Sequence, residues 1–392
     1  MRISRADRSR VAIWWFTVDH ALVVAVLALV AAGFVLSLAA SPAVALKKGL
    51  PTYHFVTRHF VFSLAGVALM LIVTLMDPRT VRRLAWIMLG CALAGLVAVH
   101  LTGREINGAR RWLDLGGYSL QPSEFVKPAF AVVAAWLFAE AAARRDMPAL
   151  PLAVVVLGVT AALLVSQPDV GQTLLVTAVW GALYVLSGQP LVGAAALAAA
   201  GAAGGGVAYA TYPHVAARID RFLAPGSGEN GQIERAMRSF SEGGFMGRGP
   251  GEGTIKSVLP DAHTDFIFAV VAEEYGVLAC LALVGLYAFI VLRALHLASR
   301  QPEAWTRLAV QALALLFGLQ ALINMGVNVG LLPAKGMTLP FISAGGSSTL
   351  AVSLTIGMLL ALARTRPDQG RHKKPRLAVT IDDIEFGGRG AT

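Results

Sequence analysis

One acidic residue, Asp265, lies between a polar loop and a long apolar segment that runs to about residue 292. A carboxyl group at a membrane boundary is costly unless it is paired or hydrated, so such residues are candidates for function. Asp265 follows His263 and Thr264. Its carboxylate could remove a proton from a sugar hydroxyl or hold a divalent cation against a phosphate. The structural alternative is that Thr264 or Asp265 caps the following helix.

A second group of candidates lies between residues 108 and 128. Arg110 and Arg111 are adjacent, and arginine forks bind phosphate oxygens with paired hydrogen bonds. Trp112 could stack on a sugar or anchor the chain at the membrane interface. Glu124 and Lys127 are three residues apart and share one helix face, where they could line a polar cavity or simply neutralise each other. For the two arginines, the alternative is contact with lipid headgroups.

A third group could bind an anion near the C-terminal end of the sequence. Lys335 offers a positive charge, and Ser347 and Ser348 follow two glycines at the expected start of a helix. Exposed amides and hydroxyls at a helix start form an anion site. The alternative is a loop that needs glycine for turns and serine for capping. Asp169, after Pro168, could likewise cap a helix or line the same cavity.

The composition indicates a membrane protein with several spans. Hydrophobic residues make up 56% of the 392 residues and charged residues only 14%, against about 25% charged residues in soluble domains. Apolar runs of about 20 residues recur along the whole chain, and each is long enough to cross a bilayer. The net charge of +10 is explained by basic residues in short loops and tails, so nucleic acid is not the expected partner.

The sequence therefore predicts an all-α polytopic membrane protein with about ten spans. The predicted spans are 19–40, 55–76, 84–101, 124–142, 149–166, 169–186, 191–211, 264–292, 305–328 and 347–363. Residues 1–18 would be an N-terminal cytoplasmic tail, 19–365 the transmembrane domain, and 366–392 a disordered basic cytoplasmic tail. The distribution of lysine and arginine predicts that both termini lie in the cytoplasm.

In this topology three functional loops face the side opposite the cytoplasm. They are 102–123, 329–346 and the large loop 212–263 between the seventh and eighth helices. Loops of this length are usually functional or disordered. Because all three lie on one side, the candidate residues can converge in one polar pocket. Glu273 and Glu274 could line that pocket or pair with cations of a neighbouring helix.

Four long motifs carry a resemblance to a known family. They are GARRWLDLGG…QPSEFVK, QPDVGQT, LPDAHTDFIFAVVAEEYG and LLPAKGMTLPFISAGGSS. Their sequences and order resemble the SEDS family, the shape, elongation, division and sporulation proteins. The Lys-Gly-Met-Thr-Leu-Pro run and the Gly-Gly-Ser-Ser ending are closer to the division members than to the elongation members. Ala344 stands where the family usually has tyrosine, so no aromatic role is expected at that position.

The resemblance implies a ten-helix fold and a peptidoglycan glycosyltransferase that polymerises lipid II. Asp265 would be the catalytic base that deprotonates the acceptor sugar. The residues implied to bind the substrate and its pyrophosphate are Arg110, Arg111, Trp112, Glu124, Lys127, His263, Lys335, Ser347 and Ser348. A divalent cation, Mg²⁺ or Mn²⁺, could assist, with Asp265 as its ligand.

The resemblance also implies a partner and a location. The partner would be a class B penicillin-binding protein, the septal transpeptidase, together with other membrane proteins of the division complex. The location would be the inner membrane at the division septum. Two alternatives are a lipid II flippase and a non-catalytic scaffold of the division complex. The candidate residues map to the outer face, whereas the inner halves of the spans are mostly apolar, which favours catalysis over transport.

Overall fold

The structure, a computed structural model, describes residues 9–106, 109–116, 118–144, 146–211, 216, 220, 230–333 and 336–365. Within these ranges nine helices are long and apolar enough to cross a membrane, and a tenth apolar helix has 17 residues. This agrees with the predicted fold of about ten spans. The helices are α1 (Arg10–Thr17), α2 (His20–Lys47), α3 (His54–Thr74), α4 (Pro78–Thr102), α5 (Pro122–Ala143), α6 (Ala149–Ser166), α7 (Val170–Leu186), α8 (Leu191–Thr211), α9 (Asn230–Gly243), α10 (Ile267–Ser299), α11 (Ala304–Asn328) and α12 (Gly346–Ala363).

Short polar residues begin several of these helices. Asp19 accepts a hydrogen bond from the Leu22 amide at 2.9 Å, and Asp77, which precedes Pro78, accepts one from the Thr80 amide at 2.7 Å. Each carboxylate satisfies an amide that the first helical turn leaves without a partner. Local sequence therefore fixes where the spans α2 and α4 begin.

The helices differ in how deeply they lie inside the bundle. In α12, 89% of the apolar window is buried within the protein, whereas in α8 none of it is. The deeply buried helices α5 and α12 carry four of the polar candidates, Glu124, Lys127, Ser347 and Ser348. The candidate site is therefore built inside the bundle at one end, and lipid contacts fall to the outer helices.

The span predicted at 264–292 begins at Ile267, ends at Ser299 and is broken at Gly276. Gly276 has φ 78° and ψ 177°, and a Cβ atom there would lie 2.3 Å from a carbonyl oxygen of the preceding loop. The loop replaces the missing helical hydrogen bonds: the Arg248 amide donates to the Glu273 carbonyl at 2.9 Å, and the Val277 amide donates to the Gly244 carbonyl at 2.9 Å. Irregular backbone at membrane depth requires such partners. Residues 277–299 thus form the long part of the span.

Two predicted loops contain secondary structure. Loop 102–123 folds as a three-stranded antiparallel sheet with β1 (Arg104–Ile106), β2 (Ala109–Leu115) and β3 (Tyr118–Leu120) in sequence order. Loop 212–263 contains α9 and a short 3₁₀ turn, Ile255–Ser257. The N-terminal segment 1–18 includes α1. The predicted tail 366–392 lies outside the described residues.

Strand β2 separates the two adjacent arginines. Glu105 pairs with Arg110 across the sheet, and Leu113 pairs with Leu120. Because successive side chains of a strand point to opposite faces, Arg110 and Arg111 diverge. The two arginine side chains therefore contact different groups, although they are adjacent in the sequence and were predicted to act together.

Candidate functional site

The Asp265 side chain does not cap α10. The N-cap position of this helix is Phe266, and it makes no side-chain capping bond. Asn328 of α11 takes over that role, because its Oδ1 accepts the Ala269 amide at 3.0 Å. The Asp265 carboxylate makes no hydrogen bond with any residue that the structure describes. The capping alternative for Asp265 is therefore wrong, and its carboxylate is left available for a ligand.

Burial raises the pKa of the Asp265 carboxyl group to about 7; the nearby Asp261 also raises it, and Arg111 opposes the shift. The residue is half-buried, and a Cβ atom at Gly336 would lie 3.6 Å from its Oδ2. A carboxyl group with this pKa exchanges protons near neutral pH, which suits a general base.

A cavity of about 170 Å³ lies between α3, the sheet and the start of α12. Two of the predicted site residues, Trp112 and His263, lie in its wall. The full lining is Phe55, Arg58, His59, Phe62, Trp112, Ser119, His263, Ala344, Gly345 and Gly346. Aromatic rings, one guanidinium group and two imidazoles thus surround a space that is large enough for a phosphate group.

Sequence reasoning missed two residues of this cavity, Arg58 and His59. Arg58 lies over the Phe62 ring at 5.9 Å and has no ion-pair partner among the described residues. His59 is 2% exposed, and neither of its ring nitrogens has a hydrogen-bond partner in the part of the chain that the structure describes. Buried polar atoms without partners are uncommon, and they often mark a site that a ligand or water completes. The sequence did contain one signal for this site, because Arg58 is a charged residue inside the apolar span predicted at 55–76.

His263 reaches the cavity from the turn of residues 260–266 that precedes α10, which we call the Asp265 turn. Its ring lies 4.6 Å from the Phe55 ring, and its buried Nδ1 has no hydrogen-bond partner among the residues described. Burial lowers the pKa of His263 to about 4, Lys48 lowers it further, and Asp261 opposes the shift. The imidazole is therefore neutral at physiological pH, and it can donate or accept a hydrogen bond without adding charge.

Glu124 and Lys127 form a buried ion pair at 2.9 Å. Gln172 of α7 donates to Glu124 Oε1 at 2.8 Å, and Lys127 donates to Gln320 Oε1 of α11 at 2.9 Å. Gln320 in turn donates to the Thr338 carbonyl at 3.1 Å. The pair is thus the centre of a polar network between α5, α7 and α11, and it does not line the cavity described above.

Ser347 and Ser348 join the sheet and the loop before α12 to this network. Ser347 Oγ accepts the Gln121 amide and donates to the Ser119 carbonyl, both at 3.2 Å. The hydroxyls of Ser348 and Thr338 lie 2.5 Å apart. The serines therefore fix the cavity wall through Ser119, and both hydroxyls already have protein partners.

The two arginines of β2 have separate roles. Arg111 donates to two carbonyls in the turn between α6 and α7, at 3.2 and 2.5 Å. It lies close enough to Asp169 and Asp265 to oppose the rise in pKa of both carboxyl groups. Burial has the larger effect, so the pKa of each carboxyl group is raised overall. Arg110 lies 3.6 Å from Glu105 and is more than half exposed. Arg111 therefore belongs to the site's electrostatics, whereas Arg110 lies at its rim.

Lys335 lies outside the described residues. In the described part of the chain, no three His, Cys, Asp or Glu side chains gather in a set that could hold a metal ion. The Asp265 carboxylate is a hard oxygen ligand of the kind that Mg²⁺ and Mn²⁺ take. These residues therefore fit only a cation that receives its other ligands from substrate oxygens and water.

Two buried glutamates of α10 anchor the loop before Asp265. Glu273 accepts the amides of Thr254, Ile255 and Lys256 at 2.6, 2.8 and 3.1 Å. Glu274 pairs with the Lys256 ammonium group. The two glutamates thus bind groups of the preceding loop and not cations of a neighbouring helix. They do not line the cavity.

The sequence matches the profile of the cell cycle protein family that contains FtsW, RodA and SpoVE over residues 20–367. The chain belongs to this family. The SEDS resemblance predicted from four motifs is therefore confirmed over most of the chain.

Full-length relatives carry the FtsW name. A probable peptidoglycan glycosyltransferase FtsW of Caulobacter vibrioides is 44% identical over 365 residues, which cover 93% of this chain and 94% of the relative. The protein of the same name in Pseudomonas fluorescens is 34% identical over 356 residues, or 88% of this chain and 87% of the relative. The predicted enzyme class and its division subtype are confirmed.

Solved structures share the fold. A chain from a peptidoglycan synthase complex that coordinates polymerization and crosslinking has a TM-score of 0.74 at 30% identity, covering 88% of this chain and 97% of that chain. The Rod shape determining protein RodA of Thermus thermophilus has a TM-score of 0.64 at 30% identity, covering 89% and 97%. A variant of that RodA with an aspartate replaced by alanine has a TM-score of 0.63. The polytopic helical fold is thereby confirmed.

Proposed function

We propose that this protein is an FtsW-type peptidoglycan glycosyltransferase in which Asp265 is the general base. The ionised carboxylate takes the proton from a hydroxyl of the acceptor sugar of lipid II. The freed oxygen then bonds to the anomeric carbon of the donor chain, and the bond from that carbon to pyrophosphate breaks. The observation that carries this role is a half-buried carboxylate that has no hydrogen bond with any described residue and whose pKa is raised to about 7.

The leaving pyrophosphate gains negative charge, so it needs cations or N–H donors near it. Arg58 is the best-placed cation for this role, because it lines the cavity and has no ion-pair partner among the described residues. Arg111 and Lys127 are already held by protein groups and act on the electrostatics of the site. A divalent cation bound to the pyrophosphate oxygens would neutralise further phosphate charge.

The aromatic wall of the cavity suits a sugar attached to that pyrophosphate. Trp112 offers a flat apolar surface, and the imidazoles of His59 and His263 offer hydrogen bonds. The cavity lies beside α3, whose Phe60, Val61 and Leu64 are exposed where lipid would contact the helix. A lipid-linked substrate can therefore keep its chain in the membrane while its head enters the cavity.

The setting follows from topology and from the relatives. With ten spans both termini would lie on one side of the membrane, and the basic loops favour the cytoplasm for that side. We place the candidate site on the opposite side of the inner membrane, at the division septum, where new cell wall is made. The partner would be a class B penicillin-binding protein of the septal transpeptidase type, since the similar peptidoglycan synthase complex couples polymerization to crosslinking.

The test is polymerisation by purified components. The protein, reconstituted with its transpeptidase partner, is given lipid II, and glycan chains are separated by size. We expect chains from the unmodified protein, and we expect the partner alone to make none. No chains from the reconstituted pair, in a preparation that binds its partner, would remove the enzymatic role.

The protein reconstituted in lipid vesicles also distinguishes a polymerase from a flippase. Fluorescent lipid II is placed in the inner leaflet, and its appearance outside is followed without polymerisation. Movement of lipid II without chain formation would support transport. If the protein shows neither activity, the scaffold alternative is the one that stays. The glycosyltransferase proposal predicts chain formation from lipid II already in the outer leaflet.

A further inference from the structure

Helix α11 carries three buried amide side chains on one face. Gln320, Asn324 and Asn328 follow each other at intervals of four residues and are 3%, 1% and 0% exposed. Residues four apart in a helix lie on the same face. A buried amide is costly unless its donors and acceptors are paired. We call this row the α11 amide ladder, and each of its members holds backbone or side-chain groups of the candidate site.

The two asparagines hold the backbone of Asp265. Asn324 and Asn328 both donate to the Asp265 carbonyl, at 3.0 and 2.9 Å. Asn324 also donates to the Met337 carbonyl at 2.6 Å, and Asn328 accepts the Ala269 amide at 3.0 Å. The ladder thereby fixes the turn that carries the acid, the helix that follows it and the loop opposite it.

The two preceding carbonyls of the turn are also held. The Ala344 amide donates to the His263 carbonyl at 3.0 Å, and Ser343 Oγ donates to the Thr264 carbonyl at 2.5 Å. Three consecutive carbonyls therefore have partners, whereas the Asp265 carboxylate has no hydrogen bond with a described residue. The position of the carboxylate is set from its backbone side, and its free side is left for a ligand.

Gln320, the first member of the ladder, binds the charged side chain of Lys127. Gln320 accepts from Lys127 at 2.9 Å and donates to the Thr338 carbonyl at 3.1 Å. One helix face thus fixes the separation between Lys127 and the Asp265 turn. A rigid helix keeps such a separation more accurately than a loop does.

We propose that Asn324 and Asn328, with Gln320, are positioning residues of the transferase reaction. They do not touch the substrate. They set the Asp265 carboxylate at the distance from the acceptor hydroxyl that proton transfer needs, and they hold it in register with Lys127. This inference rests on the proposed role of Asp265 as base. A displacement of about 1 Å in a reacting group can cost about 100-fold in rate.

The test replaces Asn324 by leucine, which removes both backbone bonds and keeps a similar volume. Polymerisation of lipid II is measured in the reconstituted complex over a range of pH. We expect kcat to fall between about 10-fold and about 100-fold with KM within about twofold. Asn328→Leu is the second variant if Asn324→Leu does not give a monodisperse complex.

Gln301→Leu is the matched control. Gln301 is also a buried amide bound to a backbone carbonyl, that of Ala363 at 3.0 Å, but it lies before the opposite end of α11. We expect its kcat and KM to stay unchanged. Equal losses of kcat in Gln301→Leu and Asn324→Leu, or a rise in KM with kcat unchanged in Asn324→Leu, would overturn the positioning role. If Asp265→Asn stays active, the proposed base fails first, so the two failures are distinguishable.

Discussion

Lys256 and Glu274 form an ion pair whose side chains are only 9% and 0% exposed. The lysine comes from the loop before the Asp265 turn, and the glutamate comes from α10, next to its break at Gly276. Lys256 also donates to the carbonyls of Ala39 and Gly251, at 3.2 and 3.1 Å. The pair therefore ties the loop to two helices, α2 and α10, and it stabilises the backbone from which the acid projects.

Removal of one partner of this pair should destabilise the protein. Lys256→Met leaves the Glu274 charge buried without its partner, which costs about 3 to 5 kcal/mol in comparable pairs. We expect a lower melting temperature in detergent, measured by intrinsic fluorescence. The double variant Lys256→Met/Glu274→Leu should recover part of the loss, since no charge is then left unpaired. A single variant as stable as the unmodified protein would contradict the structural role of the pair.

The rate of polymerisation should depend on the ionisation of Asp265. The base acts only when it is deprotonated, and its pKa is raised to about 7. The rate should therefore be constant well above pH 7, reach half its maximum near pH 7, and fall about tenfold for each further pH unit below. The measurement is kcat/KM for lipid II against pH. A profile that stays flat down to about pH 5 would exclude a base with this pKa.

The two arginines of β2 should differ in their effect on that profile. Arg111 lowers the pKa of Asp265, so Arg111→Gln should move the acid side of the profile to higher pH. Arg110 pairs with Glu105 at the exposed rim, so Arg110→Gln should leave the profile in place. Equal shifts in the two variants would show that the sheet does not separate their roles.

Arg58 should contribute to substrate binding. Arg58→Gln removes the guanidinium group that lines the cavity beside His59. One charge-assisted hydrogen bond is worth about 1.5 to 3 kcal/mol, so we expect KM for lipid II to rise about 10-fold or more. Arg83, an exposed arginine near the opposite end of the neighbouring span, provides the control variant Arg83→Gln. An unchanged KM in Arg58→Gln would remove the cavity from the substrate path.

The spans were predictable because the bilayer imposes a simple requirement on composition. A crossing helix needs about 20 apolar residues, and most observed helices begin or end within a few residues of the predicted spans. The break at Gly276 was not predictable in this way. A single glycine inside an apolar run is compatible with a continuous helix, and the partners of the broken backbone lie some 30 residues earlier, in loop 244–249.

The candidate site was predictable in part for a similar reason. Motif residues such as Asp265, Trp112 and His263 are identified by type and resemblance, and the structure places them near one another at one end of the bundle. The amide ladder and Arg58 were missed because their meaning depends on contacts between distant helices. Asn324, for example, reaches a carbonyl 59 positions away in sequence.

The measurement that tests the central claim most directly compares two aspartates of one turn. Asp265→Asn and Asp261→Asn each remove one charge with little change of shape, and Asp261 is exposed. Lipid II polymerisation by the reconstituted complex is measured at about pH 8, above the pKa of about 7 of the Asp265 carboxyl group. The account predicts that Asp265→Asn lowers kcat by at least about 100-fold, while Asp261→Asn keeps most of the activity. Equal polymerisation by Asp265→Asn and the unmodified protein would contradict it.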